Sequence, residues 1–101
     1  MKLELSIVED FGSRLSDGSK AAEYRLGRMD PYVDICDEII LDFTGVRLAN
    51  SSFVNALISG FVEQHGIEAR RKLRFKGCNP MVAVLVESAI FLGLQKCREK
   101  A

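Results

Sequence analysis

The chain has 101 residues, 48% apolar and 28% charged, with 14 basic against 14 acidic side chains and no formal net charge. That length accommodates one hydrophobic core but not two, and the composition lies far from that of disordered segments. The charge balance removes any global field that would draw the protein onto nucleic acid or an anionic membrane. Cys36, Cys78, Cys97 and the lone His65 are too few and too widely spaced for a metal-ligand set or a disulfide framework. No metal and no cofactor are therefore expected, and a reducing, cytoplasmic setting is. The N-terminal "MKLELSIVED" alternates instead of building the apolar run of a signal peptide, and no later stretch is expected to reach the ~18 apolar residues of a membrane span.

In chain order, "KLELSIV" over 2–8 sets Leu3, Leu5 and Ile7 against Lys2, Glu4 and Ser6, the period of a half-buried strand. "FGSRLSDG" reads as a turn, with a short second strand near Phe11. Asp17 is placed to cap a helix over "GSKAAEYRLGRM" whose inward stripe is Ala22, Leu26 and Met29, and Asp30-Pro31 marks its end. "PYVDICDE" is expected to be helical or turn-like. "EIILDF" over 38–43 is an apolar run broken by one carboxylate and is expected in the middle of the sheet.

From Ser51 to His65 the stripe Phe53, Val54, Leu57, Ile58 and Phe61 makes an amphipathic helix stopped by Gly66. "RKLRFKG" alternates Leu73 and Phe75 against Lys72, Arg74 and Lys76, a strand with one wet basic face. Asn79 then caps, and Pro80 opens, a last helix with Val82, Leu85, Val86, Ala89 and Leu92 inward. The alternation of strand and helix is that of a single α/β domain spanning 1–101.

In such sheets reactive groups collect where strands end and helices begin. Asp42 at the strand end, Thr44 and Arg47 in the turn, and Asn50, Ser51 and Ser52 at the helix start are the candidates to share one surface. Capping alone would explain the polar triplet, since Asn and Ser are common N-caps.

"LDFTGV" at 41–46, "NSSF" at 50–53 and "NP" at 79–80 carry a resemblance to the STAS-like domains, the fold typified by the bacterial anti-sigma factor antagonists. The likeness runs from about Glu38 to Leu94 and is closest to a STAS-like family marked by an "LDF-x-G-V" strand followed by a Ser-Phe helix start. It implies a four- to five-stranded mixed sheet with helices packed mainly on one face. It also implies a non-enzymatic module that binds a protein partner, a histidine-kinase-like ATPase that is also an anti-sigma factor. In the antagonists an Asp-Ser-Ser-Gly-like turn carries the phosphorylated serine. Residue by residue, Asn50 falls on the Asp, Ser51 on the phosphoacceptor, Ser52 on the second small residue and Phe53 on the Gly. Asn50 supplies no carboxylate, and Phe53 is bulky where the antagonists have no side chain. The end near Ala101 leaves the last strand and helix of a full-length antagonist unaccounted for, from which an exposed edge or a homodimer contact is expected.

The contact surface expected on these grounds comprises Asp42, Thr44, Arg47, Asn50, Ser51, Ser52 and Phe53, with Ser51 or Ser52 as phosphoacceptor. The rival reading is a small-ligand sensor holding a nucleotide or other anion at the same helix start, with Arg47 as counter-charge. "RRKLRFK" has five basic residues in seven, yet Phe75 points inward on this register, so a solvated strand face is expected and not a nucleic-acid platform. His65 is read as a partner of its helix C-terminus. Cys78, just before a helix start, lies where a thiol pKa is lowered. No nucleophile-base arrangement or phosphate-binding glycine loop is present, so no enzymatic activity is expected.

Overall fold

In the computed structural model, which describes residues 1–100, the chain runs through strand β1 (Lys2–Ser6), the short helix α1 (Ile7–Phe11), strand β2 (Arg14–Leu15) and helix α2 (Gly18–Arg28). A 3-10 turn (Asp30–Tyr32), strand β3 (Glu38–Asp42) and strand β4 (Leu48–Ala49) follow. The rest is helix α3 (Ser51–Val54), a π-helical segment (Asn55–Ser59), α4 (Gly60–His65), α5 (Ile67–Lys72), β5 (Leu73–Lys76) and α6 (Pro80–Lys100).

β3 lies between β1 and β5, and both pairings are parallel. The register sets Leu3 beside Ile39 and Leu73, and Leu5 beside Leu41 and Phe75, so the inward positions of all three strands share one face. Against that face α2, the 51–65 helical run and α6 close one core in which Leu5, Ile39, Leu41 and Leu73 meet Leu57, Ile58, Phe61, Val82 and Val86. The other face carries Glu4, Glu38, Arg74 and Lys76. The charges pair across it, Lys2 with Glu38 at 3.5 Å, Arg74 with Glu38 at 3.8 Å and Lys76 with Glu4 at 3.4 Å.

The expected four- to five-stranded mixed sheet is corrected. Five strands form, divided into this three-stranded sheet and a separate parallel pair, β2 with β4, and every strand pairing among the described residues is parallel. The cause is the connections: helices return the chain to the same end of the three-stranded sheet between β1 and β3 and again between β3 and β5, which a mixed sheet with hairpins would not require.

Several local readings shift as well. The first strand stops at Ser6, and Ile7 buries itself from a helical turn that ends at Gly12 with φ 81°. Asp17 does cap α2, accepting the N–H groups of Ser19 and Lys20 at 3.0 and 3.2 Å. The buried face of α2, however, is Ala21, with Met29 just beyond, while Leu26 is 56% exposed. Arg25 turns inward instead, toward Asp30 at 3.6 Å, and His65 meets the same carboxylate at 3.0 Å with its ring against Phe61. His65 does lie in the last turn of α4, and there it is also a partly buried partner of Asp30. Residues 67–72 form α5 ahead of β5, in place of the first part of the expected strand.

The long amphipathic helix is present from Ser51 to His65, with Phe53, Val54, Leu57, Ile58 and Phe61 all buried, and its middle is wound as a π segment. There Ser59 is 3% exposed and its hydroxyl has no hydrogen-bond partner among the described residues. α6 crosses close to this segment at Gly93, where a Cβ would lie 2.7 Å from the Ser59 carbonyl oxygen and 2.8 Å from the Val62 Cβ. By length and composition α6 is apolar enough to cross a membrane, which corrects the expectation that no stretch would be. Its Val82, Val86, Ala89 and Gly93 are nevertheless packed inside this domain.

Candidate functional site

Asn50 organises the start of α3. Its side-chain oxygen accepts the Phe53 N–H at 2.8 Å, and its amide nitrogen donates to the Ser16 carbonyl at 3.1 Å. Its backbone N–H adds a third tie, to the Leu15 carbonyl at 3.0 Å. A carboxylate could make the first of these bonds but not the second, because it has no proton to give. Asn50 thus both caps the helix and fastens it to the segment before α2.

Ser51 and Ser52, the first two residues of the helix, are exposed. Ser52 stands over the start of α2, where a Cβ on Gly18 would come within 2.7 Å of its Oγ. Neither hydroxyl is engaged by a protein partner among the described residues. The next side chain behaves differently. Phe53 is 1% exposed and stacks edge-on against Phe11, ring centroids 4.9 Å apart. This corrects its assignment to a contact surface: Phe53 is a core anchor that fixes the helix start, and no partner can touch more than its edge.

Asp42 and Thr44 form a second group at the end of β3. The Thr44 backbone N–H donates to Asp42 Oδ1 at 2.9 Å, and the Thr44 hydroxyl and N–H together hold the Asp42 carboxyl below its ordinary range, helped by Lys76. Gly77 lies against them at φ 69°, where a Cβ would fall 2.0 Å from Thr44 Oγ1 and 2.7 Å from its N. Cys78 follows, and burial first, then the nearby Asp42, pushes its thiol pKa up. That reverses the expectation for a cysteine ahead of a helix start, since desolvation and a negative neighbour both oppose the thiolate.

Arg47 is held by its backbone and left free by its side chain. Its N–H donates to the Ser13 carbonyl at 2.8 Å, and its carbonyl accepts from the Asn79 amide at 3.2 Å. Asn79 also bonds the Val46 carbonyl at 3.2 Å while capping α6 through the Val82 N–H at 2.8 Å. Sequence reasoning assigned Asn79 the cap alone. Its second task, supporting the β3–β4 loop, left no local signal because the partner lies more than 30 residues away.

The expected surface thus resolves into parts: Asp42 with Thr44 beside Gly77, Arg47 over Ser13, and Asn50 to Ser52 over the start of α2. No hydrogen bond joins the first part to the last among the described residues. An open cleft of about 250 Å³ beside the α3 start is lined by Asp10, Arg14, Asp17, Lys20 and the Phe53 edge. Among the described residues no three His, Cys, Asp or Glu side chains come together as a metal-ligand set. The groups on offer suit recognition: exposed hydroxyls, free cations, and carboxylates already committed to neighbours.

A strand leading into a turn and a Ser-bearing helix start, on a sheet covered from one side, is the arrangement of STAS-like domains. The chain belongs to the family described as the STAS-like domain of unknown function (DUF4325), whose model matches residues 26–83. No curated protein and no solved structure matches it.

Proposed function

We propose that this chain is a non-enzymatic, cytoplasmic module for regulatory protein–protein interaction, related in mode of action to the anti-sigma factor antagonists. Its contact surface is the start of α3 with the flanking loops, and its partner is a protein such as a histidine-kinase-like ATPase. The observation that carries the reading is the pair of exposed, unengaged hydroxyls of Ser51 and Ser52 on a helix start anchored by Asn50 and Phe53. Membership of a STAS-like family supports it. So does the packing of α6, whose removal to a bilayer would strip Val82, Val86 and Ala89 from the core.

Ser51 is the switch in this proposal. Phosphorylation adds about −1.5 to −2 charges to a side chain on a rigid support, enough to break a contact through like charge or uncompensated desolvation. The sensor reading with an anion held at the α3 start has less behind it, because Asn50 already takes the Phe53 N–H there. Calorimetric titration of the kinase-type ATPase with the unmodified protein, Ser51→Ala and Ser51→Asp tests the proposal. Binding retained by Ser51→Ala and weakened at least about tenfold by Ser51→Asp is expected. Equal affinities for all three would overturn the switch.

A further inference from the structure

β2 and β4 contain two residues each, and their pairing brings two distant arginines together. Arg14 pairs with Leu48 in the parallel register, while the Ser13 carbonyl takes the N–H groups of Arg47 and Leu48 at 2.8 and 3.2 Å. Arg14 and Arg47 then line one open cleft of about 490 Å³ with Ser13 and Leu48. Neither guanidinium is ion-paired among the described residues, and no carboxylate lines this cleft. The backbone at both positions is tied down, through the strand pair and through the Asn79 amide. The two exposed side chains carry like charges that repel where they share one cleft, and an anion between them lowers that cost.

From this geometry we propose that the Arg14–Arg47 cleft binds an organic phosphate. Two planar guanidinium forks match the oxygens and the double charge of a phosphate better than those of a single carboxylate. The volume lies in the range of small-molecule sites, and Leu48, 50% exposed, offers an apolar wall to the organic part. The adjoining cleft shares Arg14 but also holds Asp10 and Asp17, which confines the anion to the Arg47 side. Asp10 there is engaged by the Tyr24 hydroxyl at 2.9 Å and Asp17 by its helix cap. The phosphate is that of a nucleotide or of a phosphorylated side chain. This site is separate from the switch at Ser51.

The test is titration of the full chain with pyrophosphate, ATP and a phosphoserine peptide, followed by amide and arginine side-chain NMR shifts. Arg14→Gln, Arg47→Gln and Ser51→Ala are compared with Arg70→Gln, which removes the same charge from another exposed position. Saturable shifts centred on Ser13, Arg14, Arg47 and Leu48 are expected, weakened at least about tenfold in each cleft variant and unchanged in Arg70→Gln and Ser51→Ala. Tighter binding of ATP or of the peptide than of pyrophosphate supports the site and assigns its source. Shifts that never saturate with any of the three, or that fall equally in Arg14→Gln, Arg47→Gln and Arg70→Gln, would overturn it. Since Ser51→Ala retains the site, failure here leaves the partner switch standing, and the reverse.

Discussion

The outer face of the sheet and the cleft between β2 and β4 both gather basic side chains, yet they treat the charge differently. On the sheet, Lys2 and Arg74 share Glu38 and Lys76 reaches Glu4, and on the adjoining α5 Arg71 and Lys72 flank Glu68. At the cleft, Arg14 and Arg47 have no counter-ion of their own. Density of lysine and arginine along the sequence therefore misleads about binding. "RRKLRFK" is the most basic stretch of the chain, but four of its five cations, Arg71, Lys72, Arg74 and Lys76, have carboxylate partners on β1, β3 and α5. Arg14 and Arg47 stand alone in sequence, and the pairing of β2 with β4 makes them neighbours.

The comparison can be broken first at the support of the binding side. Phe53→Ala empties a core position against Phe11 and is expected to cost about 3–5 kcal/mol of stability in urea unfolding. A loss under about 1 kcal/mol would show that the α3 start does not depend on that anchor. Asn50→Asp keeps the cap and removes the donor to the Ser16 carbonyl, with an expected cost of about 1 kcal/mol by the same measurement. An Asn50→Asp protein as stable as the parent would mean that the tie to the α2 segment contributes nothing.

On the sheet side the effects are smaller. Glu4→Gln combined with Glu38→Gln is expected to change stability by under about 1 kcal/mol, because these pairs are largely exposed. It is also expected to create salt-dependent retention of oligonucleotides by the β5 face in filter binding, with none expected of the parent. Retention by the parent at the same salt would refute neutralisation of that face. The smallest effect concerns Asp42, whose carboxyl pKa is lowered by Thr44. A depressed carboxylate stabilises above its unfolded pKa, and that contribution is lost as pH falls through the folded one. The gap between parent and Asp42→Asn melting temperatures should therefore be present at neutral pH and close as pH falls through the lowered pKa of the folded carboxyl. A gap independent of pH would assign the effect to packing.

Much of the fold was legible because burial leaves a period in the sequence. The 51–65 helix, the central strand and the Asn79-Pro80 helix start are where their apolar stripes and caps indicate. The misreadings share one cause, partners far apart in the chain. Leu26 has the better helical spacing, but Arg25 is drawn inward by Asp30 and Gln64, and the face of α2 rotates accordingly. α1 and α5 are too short to show a period, and β2 and β4, at two residues each, show none. Of the candidate site, Asn50 and the exposed serines could be read locally. The burial of Phe53, the raised thiol of Cys78 and the meeting of Arg14 with Arg47 depend on tertiary neighbours.

In the proposed function, Ser51 is the residue through which a partner is released. Incubating the full chain with the kinase-type ATPase and ATP, then mapping phosphate by peptide mass spectrometry, tests this most directly. A single phosphate on Ser51, absent in Ser51→Ala, is the result the account requires; a chain that stays unmodified, or that carries phosphate only on residues away from the α3 start, would contradict it.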